Sequence, residues 1–380
     1  MKILIVVPNI VSYVAFLTGL GATLERKGVE VHLACSMDGA GPCEIPPELP
    51  GCLHPIDFPR GMNPVAHLAS ARELNRVVEQ VRPDLVHAHF SAAIFTTAIA
   101  RTKNWPVTYG TFHGVHFALT SGWKSSLVKR AETWAAGKMD AVWVLSEDDK
   151  ECLSAAAPRA TVHTQNSCGI GCELDRFDPA AISEAARSSL RAEYGFTPEH
   201  CVFAFVGRFV HFKGFAGVVK AFLKLAGSHP EVRLLLIGVR DALHPTGLTP
   251  EEEAELANSP QVIQAGYQSQ VQNYLPIADA VVFPSEREGM PVCLMEALAM
   301  GVPVITRDAR GCRDVVRDQI DGLAIREFSV ESLVAAMAQL AEDAELRRRL
   351  SAAALAGRER FSREAYISEQ IEIYRRGVAC

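Results

Sequence analysis

The sequence has no excess of basic residues. Its net charge is −6 at pH 7, residues 1–180 hold 16 Lys and Arg against 18 Asp and Glu, and residues 181–380 hold 22 against 26. A protein that binds nucleic acid carries a basic surface, and neither half of this chain has the composition for one. We therefore expect no nucleic-acid partner.

Long apolar runs, low-complexity tracts and internal repeats are also absent. No stretch reaches about 18 apolar residues, so no membrane-spanning helix is predicted. The first ten residues, MKILIVVPNI, lack the charged, apolar and small-residue succession of a signal peptide and predict a buried strand instead. These features favour a cytoplasmic protein.

Several motifs that would identify common enzyme classes are missing. None of the ten cysteines forms a CxxC pair, so we predict small buried side chains rather than disulfides or a zinc site. The segment GLGATL lacks the third glycine of a dinucleotide fingerprint, and there is no P-loop, which disfavours dehydrogenases and P-loop nucleotidases. No GxSxG or Ser-His-Asp order supports an acyl hydrolase.

What the chain does have is an alternation of short β-branched runs with helical segments. Its 380 residues, 48% of them apolar, suffice for two hydrophobic cores. Five predicted strands precede residue 180 and five follow residue 200, with a polar connection near 178–200. This pattern predicts an α/β fold with two Rossmann-like, doubly wound parallel sheets. The predicted helices of the first half are 14–27, 66–80, 91–101 and 123–137.

The most informative segment, PSEREGMPVCLMEALAMG, follows the predicted strand AVVFPS. Pro291 occupies the expected first helical position and Gly301 the position just after the helix. Free amides around Gly289, Met290, Pro291 and Val292 predict an anion site at the helix start.

Two glutamates belong to this segment. Glu288 lies in the loop, and Glu296 lies within a helix that is apolar on nearly every side. A buried carboxylate needs hydrogen-bond donors, and vicinal sugar hydroxyls are suitable ones. The alternative for Glu296 is a structural carboxylate that caps a neighbouring loop.

A second candidate site is GRFVHFKG, which follows the predicted strand CVFAFVG. Arg208 and Lys213 would lie at the carboxyl end of that strand, where fixed cations can bind phosphate in place of a metal ion. The alternative is a pair of solvated surface cations.

A third candidate site is TFHGVHF, at the end of the predicted strand PVTYGTF. The glycine after His113 allows a ligand to approach the backbone. A metal site could combine His113 with His116, His87 and His89, but no carboxylate or cysteine with ligand spacing completes it. The other alternative is a hydrogen-bonded core histidine.

The segment 119–138, LTSGWKSSLVKRAETWAAGK, predicts a helix with an apolar face and a basic one. Its cations are Lys124, Lys129, Arg130 and Lys138, against the single acid Glu132. Such a helix can lie on an anionic membrane surface, although an ordinary helix that covers the sheet has the same pattern. Its apolar face contains Trp123, Leu127, Ala131 and Trp134.

Together these sites resemble glycosyltransferase family 4, the retaining nucleotide-sugar transferases of GT-B architecture. The matching residues are the E-x7-E pair Glu288 and Glu296, Arg208 and Lys213 of GRFVHFKG, and His113 of TFHG. The segments HGVHF, YQSQVQNYLPIAD and RDARGCRDVV are similar to the subgroup that builds bacterial capsules and lipid-linked oligosaccharides, which includes N-acetylgalactosaminyltransferases.

The resemblance implies a role for each matched position. Glu288 would contact hydroxyls of the donor sugar and Glu296 those of the ribose. Arg208 and Lys213 would hold the diphosphate, and His113 would approach the sugar near the reacting centre. The amides of 289–292 would bind the distal phosphate or the sugar.

It also implies two domains that face a cleft. Residues 1–180, with a terminal helix at 363–380, would receive the acceptor, and residues 181–362 would hold the nucleotide sugar. The chain departs from the family in its first loop, residues 8–14, which lacks the common glycine pair, and in RGCRD at 310–314, which replaces a smaller loop.

The function that the resemblance implies is transfer of a hexose or N-acetylhexosamine from a UDP-sugar to a growing glycan. We expect this glycan to be lipid-linked, and the enzyme to reach it at the inner membrane surface through residues 119–138. We expect retention by front-face substitution and no metal or other cofactor. The alternatives are the same chemistry on a soluble acceptor, a GT-B nucleotide-sugar epimerase, and a non-catalytic nucleotide-sugar-binding protein.

Overall fold

The structure is a computed structural model that describes residues 1–37, 49, 52–59, 61–119, 122–242 and 244–379. The chain divides into two compact units, residues 1–170 with 364–380, and residues 171–363. The boundary lies earlier than the predicted one at residue 180, because the backbone of Cys172 pairs with that of Phe361 and Ser362 in the second unit. The terminal segment belongs to the first unit.

The first unit contains a seven-stranded parallel sheet in the order β3-β2-β1-β4-β5-β6-β7. Its strands are β1 (Lys2–Asn9), β2 (Glu30–Ser36), β3 (Cys52–Pro55), β4 (Leu85–His89), β5 (Val107–Phe112), β6 (Ala141–Val144) and β7 (Val162–Thr164). The helices between them are α1 (Ile10–Phe16), α2 (Thr18–Arg26), α3 (Pro64–Val81), α4 (Ser91–Ala100), α5 (Gly122–Ala136) and α6 (Glu147–Ala156).

The second unit contains a six-stranded parallel sheet in the order β10-β9-β8-β11-β12-β13. Its strands are β8 (Cys201–Val206), β9 (Val232–Ile237), β10 (Val262–Gly266), β11 (Ala280–Phe283), β12 (Val304–Arg307) and β13 (Gly322–Ile325). The helices are α7 (Glu184–Glu193), α8 (Phe215–Ala226), α9 (Pro250–Asn258), α10 (Val292–Ala299), α11 (Cys312–Val315), α12 (Val330–Glu342) and α13 (Ala344–Ala356). The last helix of the chain, α14, is Arg363–Ala379.

The predicted fold class, two Rossmann-like parallel sheets, is confirmed. All ten predicted strands form. Nine of them are mostly buried in a sheet covered by helices, whereas β10, at the edge of the second sheet, is only partly buried. Sequence analysis missed β3, β7 and β13, which lie at sheet edges and are short. The helix predicted over 14–27 begins earlier and is divided into α1 and α2 at Leu17.

The described cysteines are free thiols: Cys35, Cys52, Cys152, Cys168, Cys172, Cys201, Cys293 and Cys312. Cys43 and Cys380 lie outside the described residues. Across the described ranges, no helix combines the length and the apolar character that a membrane crossing requires.

Each sheet reverses its strand order once, between β1 and β4 in the first unit and between β8 and β11 in the second. Ligands of open α/β sheets bind at this point, beyond the carboxyl ends of the strands. The loops that follow β8 and β11 contain Lys213 and Glu288, so the fold of the second unit brings two of the predicted site residues to its reversal point.

Two glycines allow the loops at this point to pack closely. Gly214 has φ +80°, and a Cβ there would lie 2.5 Å from the carbonyl oxygen of Pro284. Gly311 has φ +77°, and a Cβ there would lie 2.7 Å from the carbonyl oxygen of Glu288. The loops after β8, β11 and β12 are therefore in backbone contact.

We predict that Gly214→Ala destabilises the second unit by about 1–3 kcal/mol more than Gly195→Ala does. Gly195 is the matched control, because it has φ +69° and a Cβ there would meet nothing within 4 Å. Both variants incur the left-handed backbone penalty, and only the first adds a collision with Pro284. Equal unfolding midpoints in denaturant would contradict this account of the loop packing.

Candidate active site

The centre of the site is an ion pair between Lys213 and Glu288. Lys213 follows β8 and Glu288 follows β11, and Lys213 Nζ donates to Glu288 Oε1 over 2.8 Å. Their side chains are only 17% and 16% exposed. The ammonium also lies 5.0 Å from the ring centre of Phe283, a cation–π contact. Two predicted residues, distant in sequence, are therefore in direct contact.

Ser285 supports this pair, and sequence analysis missed it. Its hydroxyl is buried and lies 3.0 Å from Glu288 Oε1, close also to the carbonyl oxygens of Phe212 and Arg287. A hydroxyl has one proton, so it donates to one of these acceptors at a time. The signal available in the sequence was its position at the end of the strand AVVFPS.

Arg208 lies in the loop after β8, as Lys213 does, but it forms an ion pair with a different residue. Its guanidinium binds Asp241, which lies beyond β9, and it is 6.0 Å from the ring centre of Phe212. Its side chain is 51% exposed, and in the described part of the chain no hydrogen bond or ion pair joins it to Glu288. Sequence analysis did not identify Asp241, because GVRDALHP carries no motif of its own.

Glu296 lies within α10, and no hydrogen bond or ion pair joins it to Lys213 or Glu288. Burial raises the pKa of Glu296 to about 7, while the positive charges of Arg363 and Arg176 act in the opposite direction. In the described part of the chain its carboxylate makes no hydrogen bond or ion pair. The alternative of a loop-capping carboxylate therefore has no contact to support it.

The start of α10 differs from the prediction. Pro291 is not the first helical residue but precedes the helix in extended conformation, with φ −77° and ψ 107°. Proline has no N–H, so of the four predicted positions only Gly289, Met290 and Val292 can offer an amide to an anion. The helix ends before Gly301, whose φ is +72°, as predicted.

His113 lies in the first unit, directly after β5. His113 Nε2 is 3.2 Å from His89 Nδ1, and its ring stacks on that of Phe90 with centres 4.0 Å apart. Burial lowers the pKa of His113 to about 3. The side chain is therefore a neutral imidazole near pH 7.

The other histidines considered as an alternative metal site have different partners, and among the described residues no group of His, Cys, Asp and Glu is arranged to hold a metal ion. His87 Nδ1 lies 2.6 Å from the hydroxyl of Tyr374 and Nε2 lies 2.8 Å from that of Thr111. His116 Nδ1 is 3.0 Å from the hydroxyl of Ser91. The contact of His87 with Tyr374 ties α14 to β4.

The basic helix α5 corrects one sequence-based assumption. Glu132 does not balance the cations on its surface, because it is fully buried and accepts hydrogen bonds from the amides of His116 and Phe117 and the hydroxyl of Ser91. It thereby anchors the chain that follows His113.

The outer face of α5 carries exposed apolar side chains. Leu127 and Trp134 are 54% and 43% exposed. They line a groove of about 1060 Å³ between α5, α4 and the start of α3, with Arg130 at its rim. The side chains of Trp123 and Lys124, named in the prediction, lie outside the described residues.

Most of the chain matches two glycosyltransferase family models. Residues 13–168 match the family model for the glycosyl transferase 4-like domain, and residues 186–356 match that for glycosyl transferases group 1. The chain is a GT-B glycosyltransferase. The predicted membership of the GT-B glycosyltransferases is confirmed, and each of the two family models matches residues of one compact unit.

Individual relatives are similar over most of their length. A protein named as the glycosyltransferase EpsD of Bacillus subtilis strain 168 is 27% identical over 357 residues, 92% of this chain and 90% of its own. The UDP-Gal:alpha-D-GlcNAc-diphosphoundecaprenol alpha-1,3-galactosyltransferase of Escherichia coli is 25% identical over 292 residues, 75% of this chain and 73% of its own.

Solved structures show the same fold. The crystal structure of Anabaena Alr3699/HepE in complex with UDP superimposes with a TM-score of 0.81 at 17% identity, and the match covers 98% of this chain and 99% of that one.

We predict that Glu296→Gln stabilises the enzyme at pH 8 and not at pH 5. The pKa of Glu296 in the folded state, about 7, is above its ordinary value of 4.5, so the stability linked to its neutral form is complete below pH 4.5 and is lost as the pH rises through 7. Glutamine stays neutral and should gain about 1–3 kcal/mol over glutamate at pH 8.

The matched control is Glu331→Gln, because the pKa of that exposed glutamate is lowered, by its own backbone and by Lys224. Thermal unfolding at both pH values measures the difference. A change that is the same at pH 5 and pH 8 would contradict the raised pKa.

Proposed function

We propose that this glycosyltransferase moves a hexose or N-acetylhexosamine from a UDP-sugar to a growing, polyprenyl-diphosphate-linked glycan, with retention of configuration. The observation that carries the proposal is the Lys213–Glu288 pair at the reversal point of the second sheet. It offers a cation for a diphosphate and a carboxylate for sugar hydroxyls within one hydrogen bond of each other.

In this proposal the donor separates the pair. The ammonium of Lys213 binds the diphosphate, Arg208 adds a second cation, and Glu288 accepts hydrogen bonds from hydroxyls of the sugar. The carboxylate of Glu296 accepts from the ribose, and its lack of a hydrogen bond within the described ranges supports that role. The amides of Gly289, Met290 and Val292 contribute further donors at the start of α10.

The proposed chemistry is front-face substitution. The acceptor hydroxyl oxygen forms a bond to the anomeric carbon while the bond from that carbon to the phosphate oxygen breaks, and the departing diphosphate takes the hydroxyl proton. Fixed cations stabilise the charge that develops on the leaving group. Glu288 is held by Lys213 and Ser285, which suits a binding group rather than the nucleophile of a two-carboxylate mechanism.

We propose that no metal or other cofactor takes part, because the two cations and the amides can offset the charge of the diphosphate. The UDP donor is supported by the UDP complex of Alr3699/HepE and by the UDP-Gal substrate in the name of the Escherichia coli relative. That same name includes diphosphoundecaprenol, which supports a lipid-linked acceptor.

The lipid-linked acceptor also requires access to a membrane, and α5 is the proposed contact. Its exposed Leu127 and Trp134 can enter the interfacial region, while Lys129 and Arg130 face anionic headgroups. Burial of Glu132 leaves this surface more basic than the sequence indicates. We propose peripheral binding to the cytoplasmic face of the membrane.

We predict that Glu288→Ala and Lys213→Ala each lower turnover by about 10- to 1000-fold, because each removes a contact to the reacting donor. Lys220→Ala is the matched control: it also breaks a lysine–glutamate pair, with Glu252 at 3.1 Å, on the neighbouring α8. The assay measures acceptor-dependent release of UDP in the presence of EDTA. Wild-type turnover in either site variant would overturn the assignment.

The same assay separates the alternatives. An epimerase would change the nucleotide sugar without an acceptor, and a non-catalytic binding protein would release no UDP with any acceptor. If the enzyme used a soluble glycan and not the polyprenyl-linked form of that glycan, the acceptor would be a soluble glycan instead. An inverted anomeric configuration, read by NMR of the product, would contradict retention.

We predict that Lys129→Glu/Arg130→Glu releases the enzyme from anionic liposomes, while turnover on a short water-soluble acceptor persists. Each cation near an anionic surface contributes about 1 kcal/mol, so reversing two charges should abolish weak docking. The control reverses the same number of charges elsewhere in the first unit, Arg26→Glu/Lys27→Glu on and just after α2. Equal sedimentation of the two double variants with liposomes would show that α5 is not the contact.

A further inference from the structure

Two histidines meet at the carboxyl edge of the first sheet. His89 ends β4 and His113 follows β5, and pairing of these strands brings His89 Nδ1 within 3.2 Å of His113 Nε2. His89 is fully buried. Among the described residues, nothing forms a hydrogen bond with its second nitrogen, Nε2.

The ring of His113 also stacks on the ring of Phe90. The two rings are nearly parallel, 16° apart in plane and 4.0 Å between centres. Phe90 has φ +69° and ψ 147°, a backbone conformation that is unfavourable for any residue except glycine. Such strain persists only where the surrounding structure enforces it, and here it places the aromatic ring against His113.

Both imidazoles are neutral near pH 7. Burial lowers the pKa of His89 well below its ordinary value, and burial also lowers that of His113. Each ring therefore has one N–H and one unprotonated nitrogen, and the hydrogen bond between the rings uses one of each.

The buried nitrogen of His89 decides which ring donates. If Nε2 carried the proton, a buried N–H would lack an acceptor, and such orphaned donors are rare in proteins. If Nδ1 carries it, His89 donates to His113 Nε2, and the nitrogen left without a partner is an unprotonated one. The second arrangement costs less.

His113 then has its proton on the other nitrogen, Nδ1. In the ranges that the structure describes, Nδ1 makes no hydrogen bond, and the side chain is only half-buried. The hydrogen bond from His89 and the stack on Phe90 together fix the plane of the ring and its rotation within that plane. The direction of the Nδ1–H bond is therefore set before any ligand binds.

We propose that His89 is a positioning residue that fixes His113 in its Nδ1–H tautomer, so that His113 presents one neutral N–H donor to a hydroxyl oxygen of a sugar bound at the first unit. The identity of that ligand rests on the proposed function, whereas the tautomer does not. His113 acts here as a hydrogen-bond donor and not as a general base. The ring of His87 packs against that of His89, with centres 4.0 Å apart, but both its nitrogens are bonded to Tyr374 and Thr111, so it does not compete for the hydrogen bond between His89 and His113.

The direct test is long-range ¹H–¹⁵N correlation NMR of the full chain labelled at histidine nitrogens, with His113 assigned by its absence in His113→Asn. We expect a protonated Nδ1 and an unprotonated Nε2 that do not change between pH 6 and pH 8. A protonated Nε2, or a signal that titrates in this range, would overturn the proposal whatever the activity.

Two variants test the role of His89. His89→Phe keeps a ring of similar size without the donor, and His89→Asn keeps an amide N–H near the position of Nδ1. In His89→Phe we expect His113 to populate both tautomers and kcat to fall about tenfold. In His89→Asn we expect His113 to keep the Nδ1–H tautomer and kcat to return to the wild-type value. Loss of kcat in His89→Phe with the tautomer of His113 unchanged would overturn the positioning role.

Titration with UDP distinguishes this inference from the proposed function. We expect both His89 variants to bind UDP with the affinity of the wild type, since the proposed nucleotide site is in the second unit. If wild-type enzyme binds no UDP but shows the Nδ1–H tautomer, the proposed donor is wrong and the tautomer assignment stands.

Discussion

The account of this enzyme depends on the contact between Lys213 and Glu288. A cation and an anion that are mostly buried are costly to desolvate, and each is tolerable because the other is 2.8 Å away. Removing one partner leaves a buried charge, whereas a bound diphosphate and sugar would supply new partners to both. The reversal of strand order between β8 and β11 explains why the pair forms where it does.

The sequence was sufficient for those parts of the fold that repeat a local pattern. Apolar runs identified ten of the thirteen strands, and the missed β3, β7 and β13 are short edge strands with weak patterns. The position of the unit boundary depended on backbone pairing between Cys172 and Phe361, a contact between residues far apart in the chain. No local pattern contains that information.

In the candidate site, too, the sequence indicated what local motifs contain and not the contacts between distant residues. Motif spacing indicated Lys213, Glu288 and Glu296, but it did not indicate that the first two form an ion pair in which the third takes no part. Ser285 and Asp241 were not predicted, because a serine after a strand and an aspartate in a loop are common and indicate no particular function. Pro291 was placed inside the helix because proline favours the first helical turn, whereas here its extended conformation precedes the helix.

A structure of the full chain with a UDP-sugar tests the central claim most directly. The account predicts that Lys213 Nζ moves from Glu288 to an oxygen of the diphosphate, and that Glu288 accepts hydrogen bonds from hydroxyls of the sugar. A complex in which the nucleotide sugar binds elsewhere, with Lys213 and Glu288 still paired, would contradict it.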